Sequence, residues 1–145
     1  MIKYIKGDIF TAETQTIVNT VNCVGVMGKG IALTYKQKYP DMYKSYRKIC
    51  DNKLLRPGLL HLWKGDVWIL NFPTKDNWRN ASKVSYLEDG LKKFVETYED
   101  RGIESISFPQ LGCANGGLNW EDEVKPLMEK HLANLNIDIT IYLYE

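Results

Sequence analysis

Two glycine-rich loops are the segments of this chain whose residue types are best suited to binding an anion. The first glycine loop covers residues 22–30 (NCVGVMGKG), and the second glycine loop covers residues 112–117 (GCANGG). Glycines let the backbone approach a ligand closely, and unpaired N–H groups at a helix start attract phosphate. Two such loops predict a ligand with two phosphates, bound from both sides. Either loop alone could also be an ordinary tight turn.

The glycine spacing fits neither of the two most familiar phosphate-binding motifs. A Walker loop requires Gly-Lys followed by Ser or Thr, whereas Gly28-Lys29 is followed by Gly30. A dinucleotide fingerprint requires Gly-x-Gly-x-x-Gly, and Gly25, Gly28 and Gly30 have the reverse spacing. The sequence therefore predicts a different kind of phosphate site.

Charged and aromatic side chains offer further candidates near the loops. Trp78 lies within a basic group made of Lys75, Arg79 and Lys83, and a ring beside cations is suited to stacking on a base. A second basic cluster follows the first glycine loop and is typical of a solvated helix face: Lys36, Lys38, Lys44, Arg47 and Lys48. No convincing pair of carboxylates for sugar-bond cleavage is visible, and three acids are candidates only through proximity to loops: Asp76, Glu121 and Asp122.

Length and composition indicate one globular domain, residues 1–145, with an ordinary apolar fraction. The three cysteines are odd in number and lack Cys-x-x-Cys spacing, and the two histidines stand apart, so we expect reduced thiols in the cytoplasm and no metal site or cofactor. No signal peptide or membrane-spanning run is predicted. The net charge of +1 does not predict general, non-specific electrostatic binding to nucleic acid.

Strand and helix patterns alternate along the chain. Strands are predicted at 2–5, 16–21, 59–63, 67–72, 103–108 and 137–143, the third and fourth forming a hairpin. Helices are predicted at 31–39, 42–51 with Asp41 as cap, from Ser82 as cap to about 101, and from Asn119 to about 134, where Pro126 must kink the helix or start a second segment. This order predicts an α/β fold of three layers, α/β/α, with a mixed central sheet. Both glycine loops then lie beyond the carboxyl ends of strands, where such sheets bind ligands.

The motifs together resemble the macrodomain family, whose members bind ADP-ribose. NTVNCVGVMGKGIA at 19–32 is similar to the family's first phosphate loop, FPQLGCANGGL at 108–118 to its second, and GDI at 7–9 to its adenine-side turn. The match covers nearly the whole chain in the right order. Within the family, NFPTKDNWR at 71–79 resembles the signature of DarG-type antitoxin macrodomains, which are related to the terminal ADP-ribose glycohydrolases.

The resemblance implies a site residue by residue. Asp8 and Ile9 would lie at the adenine end, Asn22 beside the distal ribose, and Lys75 at the position of the catalytic lysine. Apart from the resemblance, Trp78 and Arg79 are predicted at the mouth of the pocket, where with Lys75 they would bind unmodified DNA weakly and in a salt-sensitive way. The remaining ligand contacts would come from the loops and the preceding strand: Thr20, Val26, Met27, Gly28, Lys29, Gly30, Leu111, Gly112, Cys113, Ala114, Asn115, Gly116 and Gly117. The terminal ADP-ribose glycohydrolases carry an aspartate where this chain has Gly116, so the sequence departs from them there.

The function implied by the resemblance is removal of ADP-ribose from ADP-ribosylated thymine in single-stranded DNA, reversing a DarT-type partner toxin. Lys75 would act either as a neutral amine that forms a Schiff base or as a cation that activates the leaving base. A non-catalytic reader of ADP-ribose, or a hydrolase of protein-linked ADP-ribose or O-acetyl-ADP-ribose, remains an alternative. DarG-type antitoxins also have a C-terminal toxin-binding part that is not in this sequence, so we expect either a lone macrodomain or one excised from a longer antitoxin. We expect a cytoplasmic monomer without a membrane partner.

Several of these residues also have plainer interpretations. Without the resemblance, Lys75 would be an ordinary exposed lysine, and Asn22 and Asp8 would be turn residues that bond the local backbone. Cys23 and Cys113 are expected to be small packing residues, and Trp120 a core aromatic.

Overall fold

The computed structural model describes residues 1–144, which form one six-stranded sheet covered on both faces by helices. The strands are β1 (Ile2–Lys6), β2 (Thr16–Val21), β3 (His61–Lys64), β4 (Trp68–Pro73), β5 (Ser105–Phe108) and β6 (Asp138–Leu143). Their order across the sheet is β1-β6-β5-β2-β4-β3. All neighbours are parallel except β3 and β4, which form the predicted antiparallel hairpin. The mixed sheet confirms the predicted fold class.

Four helices supply the outer layers: α1 (Gly30–Lys38), α2 (Pro40–Asp51), α3 (Val84–Arg101) and α4 (Lys125–Leu132). A 3-10 turn (Ile9–Thr11) follows β1, and a π-helical turn (Trp120–Val124) precedes α4. Among the described residues, no helix has the length and apolar character needed to cross a membrane.

Two hydrophobic clusters fill the spaces between the sheet and its helices. One contains Tyr35 and Tyr46 from α1 and α2, and the other contains Leu91 and Met128 from α3 and α4. Side chains of β2 alternate between the clusters: Ile17 joins the first, and Val18 joins the second. This alternation is the period-two pattern of a strand buried on both faces, and it establishes the three-layer arrangement.

Two predicted helix caps are wrong. Helix α2 begins at Pro40, so Asp41 lies inside its first turn, because proline is already suited to the first helical position. Helix α3 is preceded by Lys83 at its N-cap, and no side chain caps it. Ser82 instead donates its backbone N–H to the Gly116 carbonyl oxygen at 3.1 Å. By contrast, Asn119 does cap the π-helical turn, through a 2.8 Å hydrogen bond to the Asp122 N–H.

A row of polar side chains crosses the α1–α2 face of the sheet. Asn71 in β4 stands in register with Asn19 in β2 and with His61 in β3. Asn19 donates to Asn71 at 3.1 Å, and Asn71 lies 2.9 Å from the His61 Nδ1. His61 continues to the Ser45 hydroxyl at 3.1 Å. Burial lowers the pKa of His61, so the ring is neutral at neutral pH.

Candidate active site

The first glycine loop is held in shape by the side chain of Asn22. Its amide oxygen accepts hydrogen bonds from the backbone N–H groups of Val24 (3.1 Å) and Val26 (3.3 Å), and its amide nitrogen donates to the Val26 carbonyl at 2.7 Å. The buried Tyr46 hydroxyl from α2 reaches the carbonyl oxygen (2.8 Å) and the amide oxygen (2.9 Å) of Asn22. Asn22 therefore organises the loop, whatever contact it makes with a ligand.

Helix α1 presents an uncapped N-terminus to this loop. Lys29 occupies the N-cap position in extended geometry, and its side chain makes no capping hydrogen bond. Gly30 has a φ of 58°, which favours glycine. The first N–H groups of a helix lack intrahelical partners, so they are available to an anion. The start of α1 thus offers N–H groups that could bind a phosphate, and phosphate binding at this loop stays a prediction.

Lys75 is held beside the first glycine loop by hydrogen bonds that extend the pairing of β2 with β4. The N–H groups of Thr74 and Lys75 both donate to the Val21 carbonyl, at 3.0 and 3.4 Å, and the Cys23 N–H donates to the Asp76 carbonyl at 2.9 Å. The Lys75 side chain is half-buried and makes no ion pair with the described residues. Its position is therefore set by backbone rather than by a charged partner.

The second glycine loop approaches the first from the opposite side. Gly112 and Gly117 have φ values of 70° and 80°, which require the conformational freedom of glycine. A Cβ atom at Gly30 would lie 3.0 Å from the Asn115 amide nitrogen, so the two loops nearly touch. Together they form two walls of one cleft.

Gly116 has no room for a side chain. A Cβ atom there would collide with the Gly112 carbonyl, lying 2.8 Å from its carbon and closer still to its oxygen, and also with the Ser82 hydroxyl. That hydroxyl is buried and has no hydrogen-bond partner within residues 1–144. An aspartate cannot occupy this position without movement of the backbone.

The cleft between the loops has a volume of about 690 Å³, within the range of small-molecule sites. Its charged side chains are Lys29, Lys75 and Arg79, and no carboxylate of residues 1–144 lines it. This sign of charge suits a diphosphate, and the absence of acids argues against a two-carboxylate glycosidase mechanism. The candidate acids Asp76, Glu121 and Asp122 all lie outside the lining.

The structure brings most of the predicted ligand residues together at this cleft: Thr20, Asn22, Val26, Gly28, Lys29, Gly30, Gly112, Cys113, Ala114, Asn115, Gly116 and Gly117, with Lys75, Trp78 and Arg79. Asp8 and Ile9 lie in a smaller depression of about 90 Å³ that shares Ile31 and Tyr144 with the main cleft. Asp8 also bonds the Phe10 N–H at 2.9 Å, as a turn aspartate does.

Two predicted ligand residues are buried away from the cleft surface. Met27 is 1% exposed and Leu111 is fully buried, and neither side chain lines the cleft. Both are core side chains within segments whose neighbours line the site. A contact of either residue with ligand would therefore come from its backbone, and it stays a prediction.

Sequence reasoning missed several lining residues: Val21, Ile31, Ala32, Thr74, Asn80, Ala81, Gln110 and Tyr144. Gln110 and Tyr144 are joined by a 2.8 Å hydrogen bond from the Tyr144 N–H. Each follows a strand at the same edge of the sheet, β5 for Gln110 and β6 for Tyr144. The carboxyl-end rule applied to every strand would have found them.

The remaining candidates have clear structural positions. Trp78 is 47% exposed, and the Arg79 guanidinium lies 4.9 Å from its ring centre. Trp120 is half-buried and packs against the α3–α4 core, so the residue expected in the core lies at its edge. Burial raises the pKa of Cys23 to about 12 and that of Cys113 to about 11, so neither thiol is an activated nucleophile at neutral pH.

Comparison with known proteins places the chain in a family. The Macro domain model matches residues 18–127. A DNA ADP-ribosyl glycohydrolase of Mycobacterium tuberculosis (strain ATCC 25618 / H37Rv) is 42% identical over 147 residues, which cover 98% of this chain and 42% of the relative. The chain spans about two fifths of the length of this relative and of the other curated DNA ADP-ribosyl glycohydrolases that it matches.

Two solved structures extend the comparison. The macrodomain of Mycobacterium tuberculosis DarG superimposes with a TM-score of 0.91 at 41% identity, covering 98% of this chain and 97% of that one. Thermosipho africanus DarTG in complex with ADP-ribose superimposes with a TM-score of 0.93 at 40% identity, covering 98% of this chain and 41% of that one. These similarities confirm the predicted resemblance and fold. The chain belongs to the macrodomain family.

Proposed function

We propose that this chain is an ADP-ribosyl glycohydrolase that removes ADP-ribose from ADP-ribosylated thymine in single-stranded DNA. The observation that carries the proposal is the placement of Lys75, a half-buried lysine without an ionic partner among residues 1–144, at the cleft between the two glycine loops. The names of the relatives, which are DNA ADP-ribosyl glycohydrolases at 39–42% identity, support the substrate.

Binding would begin with the diphosphate. The uncapped start of α1 and the backbone of the first glycine loop supply N–H donors, and Lys29 adds positive charge. The second glycine loop closes the other side. Asp8 and Ile9, in the adjoining depression, would contact the adenine end. The distal ribose would then lie near Asn22 and Lys75, at the site of bond cleavage.

Cleavage would proceed through Lys75. As a neutral amine, it attacks the anomeric carbon, the bond from that carbon to the thymine nitrogen breaks, and that nitrogen takes up the proton that the amine loses. The ribose ring then opens at its C–O bond, the ring oxygen takes up the remaining amine proton, and a Schiff base forms. Water then hydrolyses the resulting Schiff base to free ADP-ribose and lysine. As a cation, Lys75 would instead stabilise negative charge on the leaving base while water attacks. Reduction with borohydride distinguishes these routes, because only the first leaves ADP-ribose covalently attached to Lys75.

The deciding experiment measures release of ADP-ribose from a thymidine-ADP-ribosylated single-stranded oligonucleotide. We expect wild type to release it and Lys75→Ala to lose turnover while keeping its affinity for ADP-ribose in calorimetry. Lys83→Ala is the matched control, since Lys83 is an exposed lysine outside the cleft lining. Full turnover by Lys75→Ala would refute the catalytic assignment.

A non-catalytic reader of ADP-ribose is the second candidate. It is favoured by Gly116, which leaves the site without the aspartate of the terminal ADP-ribose glycohydrolases and without space for one. A reader binds ADP-ribose but releases nothing from modified DNA or modified protein.

Parallel assays on ADP-ribosylated protein and on O-acetyl-ADP-ribose test the third candidate, a hydrolase of those substrates.

The biological setting follows from the same proposal. A relative from Thermosipho africanus is a fusion of a DNA ADP-ribosyl transferase with a DNA ADP-ribosyl glycohydrolase, which supports a DarT-type toxin as the partner whose modification this chain reverses. The three cysteines are all unpaired, which supports a cytoplasmic location. Action as a monomer stays a prediction.

A further inference from the structure

Charge is divided between the two parts of this chain despite the net charge of +1. Residues 1–83 contain fourteen Lys and Arg against six Asp and Glu, a net charge of +8, whereas residues 84–145 carry −7. Most of the excess lies in residues 36–56, with seven cations and two acids. The basic face is defined here as those seven exposed side chains on and around α1 and α2: Lys36, Lys38, Lys44, Arg47, Lys48, Lys53 and Arg56.

The charges of the basic face are largely unpaired. Within residues 1–144, Arg47 bonds Asp51 at 3.2 Å and Lys44 lies 4.0 Å from Asp41, while the other five cations make no ion pair. The opposite layer differs, because three of its cations lie beside acids: Lys92 and Lys130 pair with Glu88, and Lys93 pairs with Glu96. Unpaired cations on one layer are available to an external polyanion.

The basic face is built onto the outer side of the first glycine loop. The Tyr43 hydroxyl donates to the Gly25 carbonyl at 3.0 Å, and a Cβ atom at Gly25 would lie 2.7 Å from the Arg47 Cδ. Arg47 also donates to the Tyr43 hydroxyl at 3.3 Å, and the Lys36 ammonium lies 4.5 Å from the centre of the Tyr43 ring. The surface therefore continues from the loop to α2 without interruption.

Apolar side chains are exposed between the basic face and the cleft. Val24 is 42% exposed and Val26 is 37% exposed, both on the first glycine loop, and Val26 also lines the cleft. Trp78 stands exposed at the same cleft. Exposed apolar groups beside cations suit a strand whose bases are unpaired, because bases contact the former and phosphates the latter.

We propose that the basic face is a docking surface for single-stranded DNA. A strand whose modified base enters the cleft crosses the first glycine loop at Val24 and Val26, and its phosphates then lie along α2. This inference deepens the proposed function, on which it rests for the identity of the strand. It adds a binding surface on the opposite side of the loop from Trp78 and Arg79.

The test uses unmodified DNA, so that binding is measured apart from turnover. A labelled oligothymidylate of about 15 nucleotides, the upper range of single-strand footprints, is titrated at several salt concentrations between about 50 and 200 mM. The variant is Lys36→Gln/Lys44→Gln/Lys48→Gln, which spares Arg47 and the loop. The matched control is Lys92→Gln/Lys93→Gln/Lys130→Gln, with the same loss of charge on the opposite layer.

We expect the slope of log affinity against log salt to become shallower by about 2 in the basic-face variant, since each phosphate contact contributes about 0.7 for single strands. The control should keep the wild-type slope.

An equal change in both variants, no change in either, or no binding by wild type at the lowest salt would each overturn the proposal. Displacement of the DNA by polyglutamate as effectively as by unlabelled DNA would overturn it too. The surface would then bind any polyanion, or an acidic protein, without preference for single-stranded DNA.

Two further measurements separate this inference from the proposed function. Calorimetry with ADP-ribose should give wild-type affinity in both triple variants, which confirms that the cleft is intact. Release from a modified trinucleotide should match wild type in the basic-face variant, whereas kcat/KM on the long substrate should fall. If wild type releases ADP-ribose from neither substrate, the proposed function fails while the DNA-binding result is still measured. If wild type releases ADP-ribose but the basic-face variant keeps the wild-type salt slope, the docking proposal is refuted and the proposed function is not.

Discussion

Replacing Gly116 with alanine should damage the cleft far more than its size suggests. The added methyl group would lie 2.8 Å from the Gly112 carbonyl carbon, against at least 3.4 Å for an ordinary contact, so atoms must separate by about 0.6 Å or more. The obstacle includes backbone, which cannot rotate aside as a side chain can. Inserting a methyl group into such a packed position typically costs about 1–3 kcal/mol.

Two measurements capture that cost. If the strain persists in the folded state, the melting temperature should fall by roughly 3 to 10 °C for a chain of this size. If the second glycine loop moves instead, ADP-ribose affinity in calorimetry should fall by about 5- to 150-fold, since 1.4 kcal/mol is a factor of ten. Gly116→Asp should behave likewise and gain no turnover.

Gly28→Ala is the matched control for this substitution. Gly28 lies in the first glycine loop, lines the same cleft and has no positive φ, and its nearest neighbour to an added Cβ is the Val26 Cγ1 at 3.6 Å. We expect a wild-type melting temperature for Gly28→Ala, because the added methyl group makes only an ordinary contact with the protein. The steric reasoning is refuted if Gly116→Ala matches Gly28→Ala in melting temperature and matches wild type in ADP-ribose affinity.

Three further predictions concern groups around the site and on the opposite layer. Tyr46→Phe leaves the Asn22 carbonyl without its buried donor, so urea unfolding should show a loss of about 1–2 kcal/mol; unchanged stability would contradict this. The His131 hydrogen bond lowers the pKa of Glu88, so its stabilisation is complete above pH 4.5, the ordinary value, and is lost as pH falls through the lowered one. Glu88→Gln should therefore reduce the melting temperature at pH 7 and flatten its acid dependence, and parallel curves for both proteins would refute the assignment. Cys113→Ala should retain ADP-ribose release within about twofold, since burial keeps this thiol protonated; loss of turnover with intact ADP-ribose binding would argue for a nucleophilic role.

The elements around the site were largely predictable because their signals are local. The run at Thr16–Val21 is a strand, the glycines after it open helix α1, and Pro126 falls at the start of a separate helix. One incorrect prediction concerns a residue that makes a hydrogen bond with a distant part of the chain instead of with its own helix. Ser82 does not cap α3, because its backbone N–H is bonded to Gly116 in the second glycine loop.

Contacts that fix the site span distances that a local pattern does not encode. The Tyr46 hydroxyl meets Asn22 across 24 positions, and nothing in either segment indicates the pairing. The crowding at Gly116 likewise depends on Ser82, which is remote in sequence. Glycine at 116 could be read from the sequence, but the reason that it must be glycine could not.

The polar row of Asn19, Asn71 and His61 has a consequence for how the site is assembled. A strand that slips by one residue advances about 3.3 Å and turns every side chain to the opposite face. Such a slip between β2 and β4 would separate the two buried amides of Asn19 and Asn71. It would also place one of them in the apolar α3–α4 core, away from its hydrogen-bond partner. The apolar residues Val18 and Leu70, adjacent to the amides, could tolerate other alignments, but the amides could not. Asn19 lies three residues before Asn22, and Asn71 lies four residues before Lys75. The pairing of the two amides fixes the register of β2 and β4, and this register in turn fixes the relative positions of Asn22 and Lys75 in the cleft.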